Sequence, residues 1–322
     1  MNPLRQAIHF VMETTRLDRC VDAAAINHRR ELWRASRHPT LSSRASNQWI
    51  SDVIAAGRPA AIGMLGRHEC GILSAHLGLR RFYKYTWAAP AYSEADLAQT
   101  GVFPATDESY WRFAELMLER LRQLDGCAMN RHVGESQILA NQCAQARRLE
   151  HRSLEPYLSN PPWSAQLAGK RVLVIHPFES SFRSQSLRRT EIWPSCPEVL
   201  PAFDLEIARA PIGFFRNGFN DWFAMLRWFE ERIEATHRRS RFDVALIGCG
   251  VSSVPLAAFV KKLGAIGIHL GDATAVLFGI REGATSKNPA LARFVNDAWI
   301  DPHPGEASAS MMSNLSPSAV QS

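Results

Sequence analysis

The chain has 322 residues, 46% hydrophobic and 21% charged, which is enough apolar material for one large or two small domains around a sizeable core. Lys and Arg number 37 against 31 Asp and Glu, a formal charge of +6. This mild excess suits a phosphate-bearing ligand or no charged partner at all, and the scattered arginines form no basic stripe interleaved with aromatics, which argues against nucleic-acid binding.

In chain order, residues 1–45 are polar and Arg-rich, with weak helical periodicity, and read as a helical or irregular extension. Residues 46–56 read as a helix capped by Ser46 or Asn47, with Ile50, Val53 and Ile54 on one face and Gly57 as its stop. Pro59 to Leu65 reads as a strand running into Gly66-Arg67-His68-Glu69 and a second helical segment. Asp107-Glu108 favours a helix start, and Phe113, Leu116, Met117, Leu121 and Leu124 follow at helical spacing. Ser136 to Glu150 is expected to be another helix. Pro156, Pro161 and Pro162 make residues 154–169 a connector and a subdomain junction. Arg171 to Ile175 and Leu205 to Ala210 read as strands, and Asp221 to Arg239 as an amphipathic helix with Trp222, Phe223, Leu226, Phe229 and Ile233 inward. From Pro302 on, the tail has no periodicity and reads as disordered.

The stretch from Phe242 to Gly279 organises the rest. An apolar strand, a Gly248/Gly250 turn, a helix with Leu256, Phe259, Val260 and Leu263 on one face, and a second strand ending at Gly271-Asp272 make one unit of a parallel sheet. The fold class is therefore α/β, a mostly parallel sheet with flanking helices over residues 46–301. Ligands of such sheets gather at the carboxyl ends of the strands. Three strand ends carry polar residues suited to that place: Gly66–Glu69, His176 with Ser180, Ser181, Arg183 and Gln185, and the pair formed by Gly248–Ser253 (Gly248, Gly250, Val251, Ser252, Ser253) and His269–Thr274 (His269, Gly271, Asp272, Thr274).

Each has a functional and a plainer reading. A Gly-rich turn before a helix binds phosphate through backbone N–H groups, or only turns the chain. Glu69 is a carboxylate for a metal, a ribose hydroxyl or general-base work, or a helix-start Glu that favours the dipole. His176 and His269 each close an apolar run and are site residues or satisfied buried histidines. Arg183 pairs with a phosphate or with Glu179. No G-x-S-x-G, Walker-A or H-E-x-x-H pattern occurs, and nothing near Cys249 in sequence activates it as a nucleophile.

Six cysteines (20, 70, 127, 143, 196, 249) form no C-x-x-C pair, which suits free thiols in a reducing cytoplasm. Residues 7–12 are too short for a signal peptide core, and no run approaches the ~20 apolar residues of a membrane helix. The expected location is cytoplasmic, with peripheral contact at the inner membrane face left open and no transmembrane segment.

The run LEPYLSNPPWSAQLAGKRVLVIHPFESSFRSQ, followed by FDVALIGCGVSSVPLAAFVKKLGAIGIHLGDATAVLFGI, resembles bacterial glycosyltransferase-like proteins of the GT-D type. IGMLGRHECGIL is similar to that family's R-x-G-D-G-E-like signature, Gly101–Pro104 to its Gly-Phe-Phe-Pro segment, and FVNDAWIDPHPGE to its Asn…Trp…Pro ending. The likeness covers roughly residues 58–300. It implies a Rossmann-like fold, a nucleotide-sugar donor, a glycan or lipid-linked acceptor in polysaccharide or glycoconjugate assembly, and carboxylates that hold the donor with Mn or Mg. Gly66 and Glu69 match the motif's Gly and Glu. Arg67 stands at its Asp position, a departure that suits a directly coordinated cation badly; either Arg67 neutralises the diphosphate in the cation's place or the chain has lost transferase activity and kept only the fold. The expected roles are Glu69 and His176 in catalysis and the remaining strand-end residues in binding. The rival expectation is a non-catalytic nucleotide- or sugar-binding accessory protein; a Rossmann oxidoreductase is disfavoured by the lack of G-x-G-x-x-G after an early strand.

Overall fold

Seven short segments join into one all-parallel sheet in the computed structural model, which describes residues 39–79, 100–211, 218–281 and 289–306. They are β1 (Ala60–Met64), β2 (Gly126–Met129), β3 (Arg147–Glu150), β4 (Arg171–His176), β5 (Asp204–Arg209), β6 (Val244–Ile247) and β7 (Ile266–His269). Their order across the sheet is β3-β2-β1-β7-β6-β4-β5. This is the Rossmann-like α/β class expected from the sequence. β2, β6 and β7 are buried at every position, which is why their sequences run apolar without alternating.

Helices cover both faces. They are α1 (Ser43–Ala56), α2 (Arg67–His76), α3 (Asp107–Leu121), α4 (Glu135–Gln142), α5 (Glu179–Ser186), α6 (Trp222–Arg239), α7 (Ser253–Lys262) and α8 (Ala273–Leu277), with single helical turns at Arg189–Ile192 and Pro289–Ala292. α2, α3, α4, α6 and α7 pack into the apolar layer of one face; α1, α5, α8 and the turns of residues 151–169 pack into the other. Local chemistry fixes their ends. The Thr106 hydroxyl accepts from the Ser109 N–H to start α3, and the Asp221 carboxylate accepts from the Ala224 N–H at 2.7 Å to start α6. The inward stripe of α6 is buried as expected, from Trp222 to Ile233. Gly57 (φ 62°) follows α1 in the left-handed conformation that favours glycine.

Three expectations are corrected. The helix expected over 136–150 ends at Gln142, and residues 147–150 form β3, paired with β2 at all four positions. The charged Arg147-Arg148 hides this strand in the sequence. Ser42, rather than Ser46 or Asn47, caps α1; both of those are buried, and the Asn47 amide donates to the Pro161 carbonyl and accepts from the Trp163 N–H, each at 2.9 Å. The Pro-rich residues 154–169 do not separate two bodies. They cross one face of a continuous sheet as short 3₁₀ turns, with Trp163 wholly buried.

At the termini, Leu41 donates to the Arg148 carbonyl at 2.9 Å, which ties residues 39–45 to β3, and the rest of the expected N-terminal extension lies outside the described residues. Of the tail expected to be disordered from Pro302, residues 302–306 are described and are held through Glu306, which is buried; residues 307–322 lie outside the described residues. Among the described residues, no helix is long and apolar enough to cross a membrane.

The topology opens the carboxyl edge. The helices after β1 and β6 lie on one face, and those after β7 and β4 on the other. Loops leaving neighbouring strands in opposite directions make the crevice where open α/β sheets bind their ligands.

Candidate functional site

Gly248, at the end of β6, is where the strand ends meet. A Cβ there would lie 2.7 Å from the His176 ring (β4), 2.7 Å from the Gly271 carbonyl and 2.7 Å from Thr274 Oγ1 (both after β7). Gly271 (φ 59°) in turn abuts Met64 of β1. The four central strands therefore close on one another through positions that admit no side chain. Gly250 differs: its φ is 59° and nothing lies within 4 Å of where a Cβ would be. The tip of the β6 loop is thus open space over the start of α7.

Among the described residues, two polar atoms in this knot lack partners. Thr274 is fully buried and its Oγ1 has no hydrogen bond; His269 is 6% exposed and its Nδ1 has none. Burial holds the His269 ring neutral, with its pKa lowered to about 4 against the opposing pull of a hydrogen bond to the Met64 backbone. A buried polar atom without a partner costs about 1–3 kcal/mol.

The loop after β4 is already satisfied from within. The Glu306 carboxylate accepts from the Ser180 N–H at 2.7 Å, the Ser181 N–H at 3.2 Å and the Ser181 hydroxyl at 2.5 Å. It fills the start of α5, where an anionic ligand would otherwise sit. Gln185 is buried and donates to the carbonyls of Phe278, Gly279 and Ala298. Arg183 pairs with Glu179 at 2.7 Å on the surface. His176 Nδ1 accepts from the Phe178 N–H at 3.2 Å, with the ring packed on Phe178 and Phe182. Ser180, Ser181 and Gln185 thus tie the start of α5 to Glu306 and to the carbonyls of Phe278, Gly279 and Ala298. Glu306→Ala is therefore expected to lower the unfolding free energy by about 2 kcal/mol, with Glu306→Gln in between, in urea titrations. Equal midpoints for both variants and wild type would mean that water replaces the carboxylate.

In the β6 loop, the Ser253 hydroxyl accepts from the Cys249 N–H and the Ser252 hydroxyl accepts from the Trp222 indole at 3.2 Å. Val251 belongs to the core. Burial pushes the Cys249 thiol up to about 12, which disfavours its thiolate. Asp272 is exposed ahead of α8, and its charge helps raise the pKa of Tyr157 behind the larger effect of burial.

The β1 loop shows Glu69 in its plainer, helix-start place. Gly66 is the N-cap of α2 and has no side chain to offer. Glu69, three residues on, folds its carboxylate back against Gly66, one half of a capping box. Burial raises its pKa, and hydrogen bonds from its own N–H and that of Gly66 pull it back. With both N–H groups on the one carboxylate and Arg67 beside it, this donor set does not fit a divalent cation. No group of three or more His, Cys, Asp or Glu among the described residues is placed to hold a metal.

A basic neighbour escaped the sequence reading. His132, after β2, is half-buried; burial first, then Arg67, His68 and His151, lower its pKa. Its loop is locked by the buried Glu135, which accepts from the Asn130 and His132 N–H groups, and by the Asn130 amide donating to the Leu65 carbonyl at 2.9 Å. Arg131 holds φ 60°, costly for a residue with a side chain. β2 is four residues including a glycine, too short to read as a strand, so nothing in the sequence placed His132 at this edge.

The fold and its edge define a Rossmann-like parallel α/β protein in which the ends of β1, β7 and β6 meet at the carboxyl edge of the sheet, with Arg67 on the β1 side. Compared with known proteins, the chain matches no family model, no curated protein and no solved structure.

Proposed function

We propose that the chain binds a nucleotide-sugar in this crevice and transfers the sugar to a glycan or lipid-linked acceptor in surface polysaccharide or glycoconjugate assembly, working in the cytoplasm or at the inner membrane face. The observation that carries the reading is the pair of buried, unpartnered atoms His269 Nδ1 and Thr274 Oγ1 at the meeting of the strand ends. A ligand hydroxyl or phosphate supplies the partners they lack. Around them, the open space at Gly250 lets a diphosphate approach the start of α7, and Arg67, at the first turn of α2, supplies positive charge.

Sugar transfer needs stabilisation of charge on the departing diphosphate and a base for the acceptor hydroxyl. Arg67 fits the first need without a cation. Glu69 fits the second: it is a carboxylate of raised pKa whose direction is fixed by two backbone N–H groups. Glu69→Gln keeps an acceptor for the Gly66 N–H but removes the basic oxygen, so it is expected to lower turnover far more than thermal stability. A parallel fall in both would leave Glu69 a helix cap only. That outcome, together with Arg67 at the motif's Asp position, is what favours the second reading, a non-catalytic nucleotide- or sugar-binding accessory protein.

The deciding experiment is a thermal-shift series with UDP-, GDP-, CMP- and dTDP-sugars, each with Mg, Mn or EDTA, followed by turnover with whichever donor raises the midpoint. Binding in EDTA with release of the donor's nucleotide, a nucleoside diphosphate or, from a CMP-sugar, CMP, supports the transferase. Binding without turnover supports the accessory protein, and no shift with any donor removes both.

A further inference from the structure

Among the described residues, β5 is the outer strand of the sheet and pairs only with β4. Its consecutive residues Leu205–Arg209 line a cavity of about 760 Å³, flanked by Glu179 and Arg183 of α5 and by Trp228, Arg232 and Arg239 of α6. A strand paired on one side leaves half of its backbone N–H and C=O groups pointing outward. Here they point into a walled cleft rather than onto open surface. Five residues of strand span about 16 Å.

The walls are charged on both sides. Ile207 packs into the α5-side core and Ala208 against the α6-side core, so the strand's alternation puts Arg209 on the α5 side with Arg183, and Glu206 on the α6 side with Arg239. Two of the four arginines are committed: Arg183 to Glu179 at 2.7 Å and Arg239 to Glu206 at 2.5 Å. Arg209 is exposed and makes no ion pair among the described residues. Arg232 lies 4.9 Å from the centre of the Trp228 ring, and Trp228 is 38% exposed. Four guanidinium groups against two carboxylates leave the cleft with an excess of two positive charges. An added strand would turn alternate side chains to the two walls and meet an uncommitted arginine on each.

We propose that this cleft takes an extended acidic peptide segment of a partner protein, which pairs with β5 as an eighth strand and sets its Asp or Glu side chains against Arg209 and Arg232. A peptide fits the cleft better than an anionic glycan because its floor is unpaired strand backbone, which a sugar chain cannot continue, and because Arg232 already covers the Trp228 ring. The proposal does not depend on the donor reading, since neither arginine belongs to the crevice.

Selecting a displayed random eight-residue peptide library against the purified full chain tests it. The expected result is enrichment of peptides with two Asp or Glu residues separated by an odd number of positions, so that one faces each wall. A selected peptide, made synthetically, should lose affinity at least tenfold against Arg209→Glu/Arg232→Glu, and against wild type when its alternate backbone nitrogens are methylated. Circular dichroism of the double variant checks the fold, and Arg209→Ala provides a milder second variant. No acidic enrichment overturns the proposal, as does binding that survives N-methylation. Equal competition by a sulfated oligosaccharide would make the cleft a general anion patch and overturn it. A concentration-dependent dimer lost in the double variant would assign the edge to self-pairing, with the same consequence.

Discussion

Gly267→Ala is expected to lower the stability of the chain by about 3 kcal/mol or more and its melting temperature by on the order of 5–10 °C. Gly267 lies in the middle of β7 and directly under α7. A Cβ there would stand 2.6 Å from the Ala257 carbonyl oxygen, 2.7 Å from its Cα and 3.0 Å from its carbonyl carbon. All three atoms are helix backbone, so no side chain can swing aside, and the only relief is to move α7 off the sheet. That helix is buried from Ser253 to Val260, so lifting it opens the densest layer of the core. The shift would also reach the crevice, because the Gly250 turn leads straight into α7. Calorimetry on Gly267→Ala and Gly264→Ala together isolates the cause. Gly264 has φ 96° with open space around it, so alanine there meets backbone strain without a clash and is expected to cost about 1–2 kcal/mol. Equal losses at the two positions would mean that close approach of helix to strand is not what Gly267 provides.

The same contrast explains what the sequence could and could not yield. The strand–turn–helix–strand unit from Phe242 to Gly279 was legible because each part is encoded locally: apolar runs buried on both faces, glycines where the chain must turn, and a helical apolar face. The strand ends after β1, β4, β6 and β7 followed from it. β2 and β3 are strands only because a neighbour pairs with them; four residues with a glycine in one and two arginines in the other carry no period of their own. With them went His132 and its place near Arg67 at the carboxyl edge. Glu306 was hidden for another reason. It caps α5 across a separation of 125 residues, and no local pattern encodes a bond of that range. Ser180, Ser181 and Gln185 carry the right chemistry for ligand binding, but the chain itself supplies their partners. Only packing distinguishes such residues from His269 and Thr274, which sit at an equally polar strand end and stay unsatisfied.

His269→Leu is expected to separate function from stability. The substitution removes an unpartnered buried nitrogen, relieving about 1–3 kcal/mol, and gives up the hydrogen bond to Met64, worth about 1 kcal/mol. At pH 7 the variant should therefore be as stable as wild type or more so. Binding of a nucleotide-sugar that partners Nδ1 should weaken about 100-fold, the effect of losing a hydrogen bond to a charged ligand. The pH dependence carries the same signature. In the folded chain the His269 pKa lies at about 4, below its ordinary 6.5. Between those values the unfolded chain binds a proton that the folded chain does not, so wild-type stability falls as pH falls through this window, by on the order of 3 kcal/mol from this residue. Burial also lowers the pKa of His132 and His237, and their contributions have the same sign. The leucine variant lacks the His269 share, so its advantage over wild type should widen steadily from pH 7 to pH 4 in urea titrations. Parallel stability curves would mean that water reaches the ring and that it is not held neutral by burial. A variant less stable than wild type that still binds the donor would make His269 a structural residue and take away the observation on which the proposed function rests. A gain in acid stability joined to a loss of binding would show that the fold keeps a costly, half-satisfied imidazole at the end of β7 because the ligand completes it.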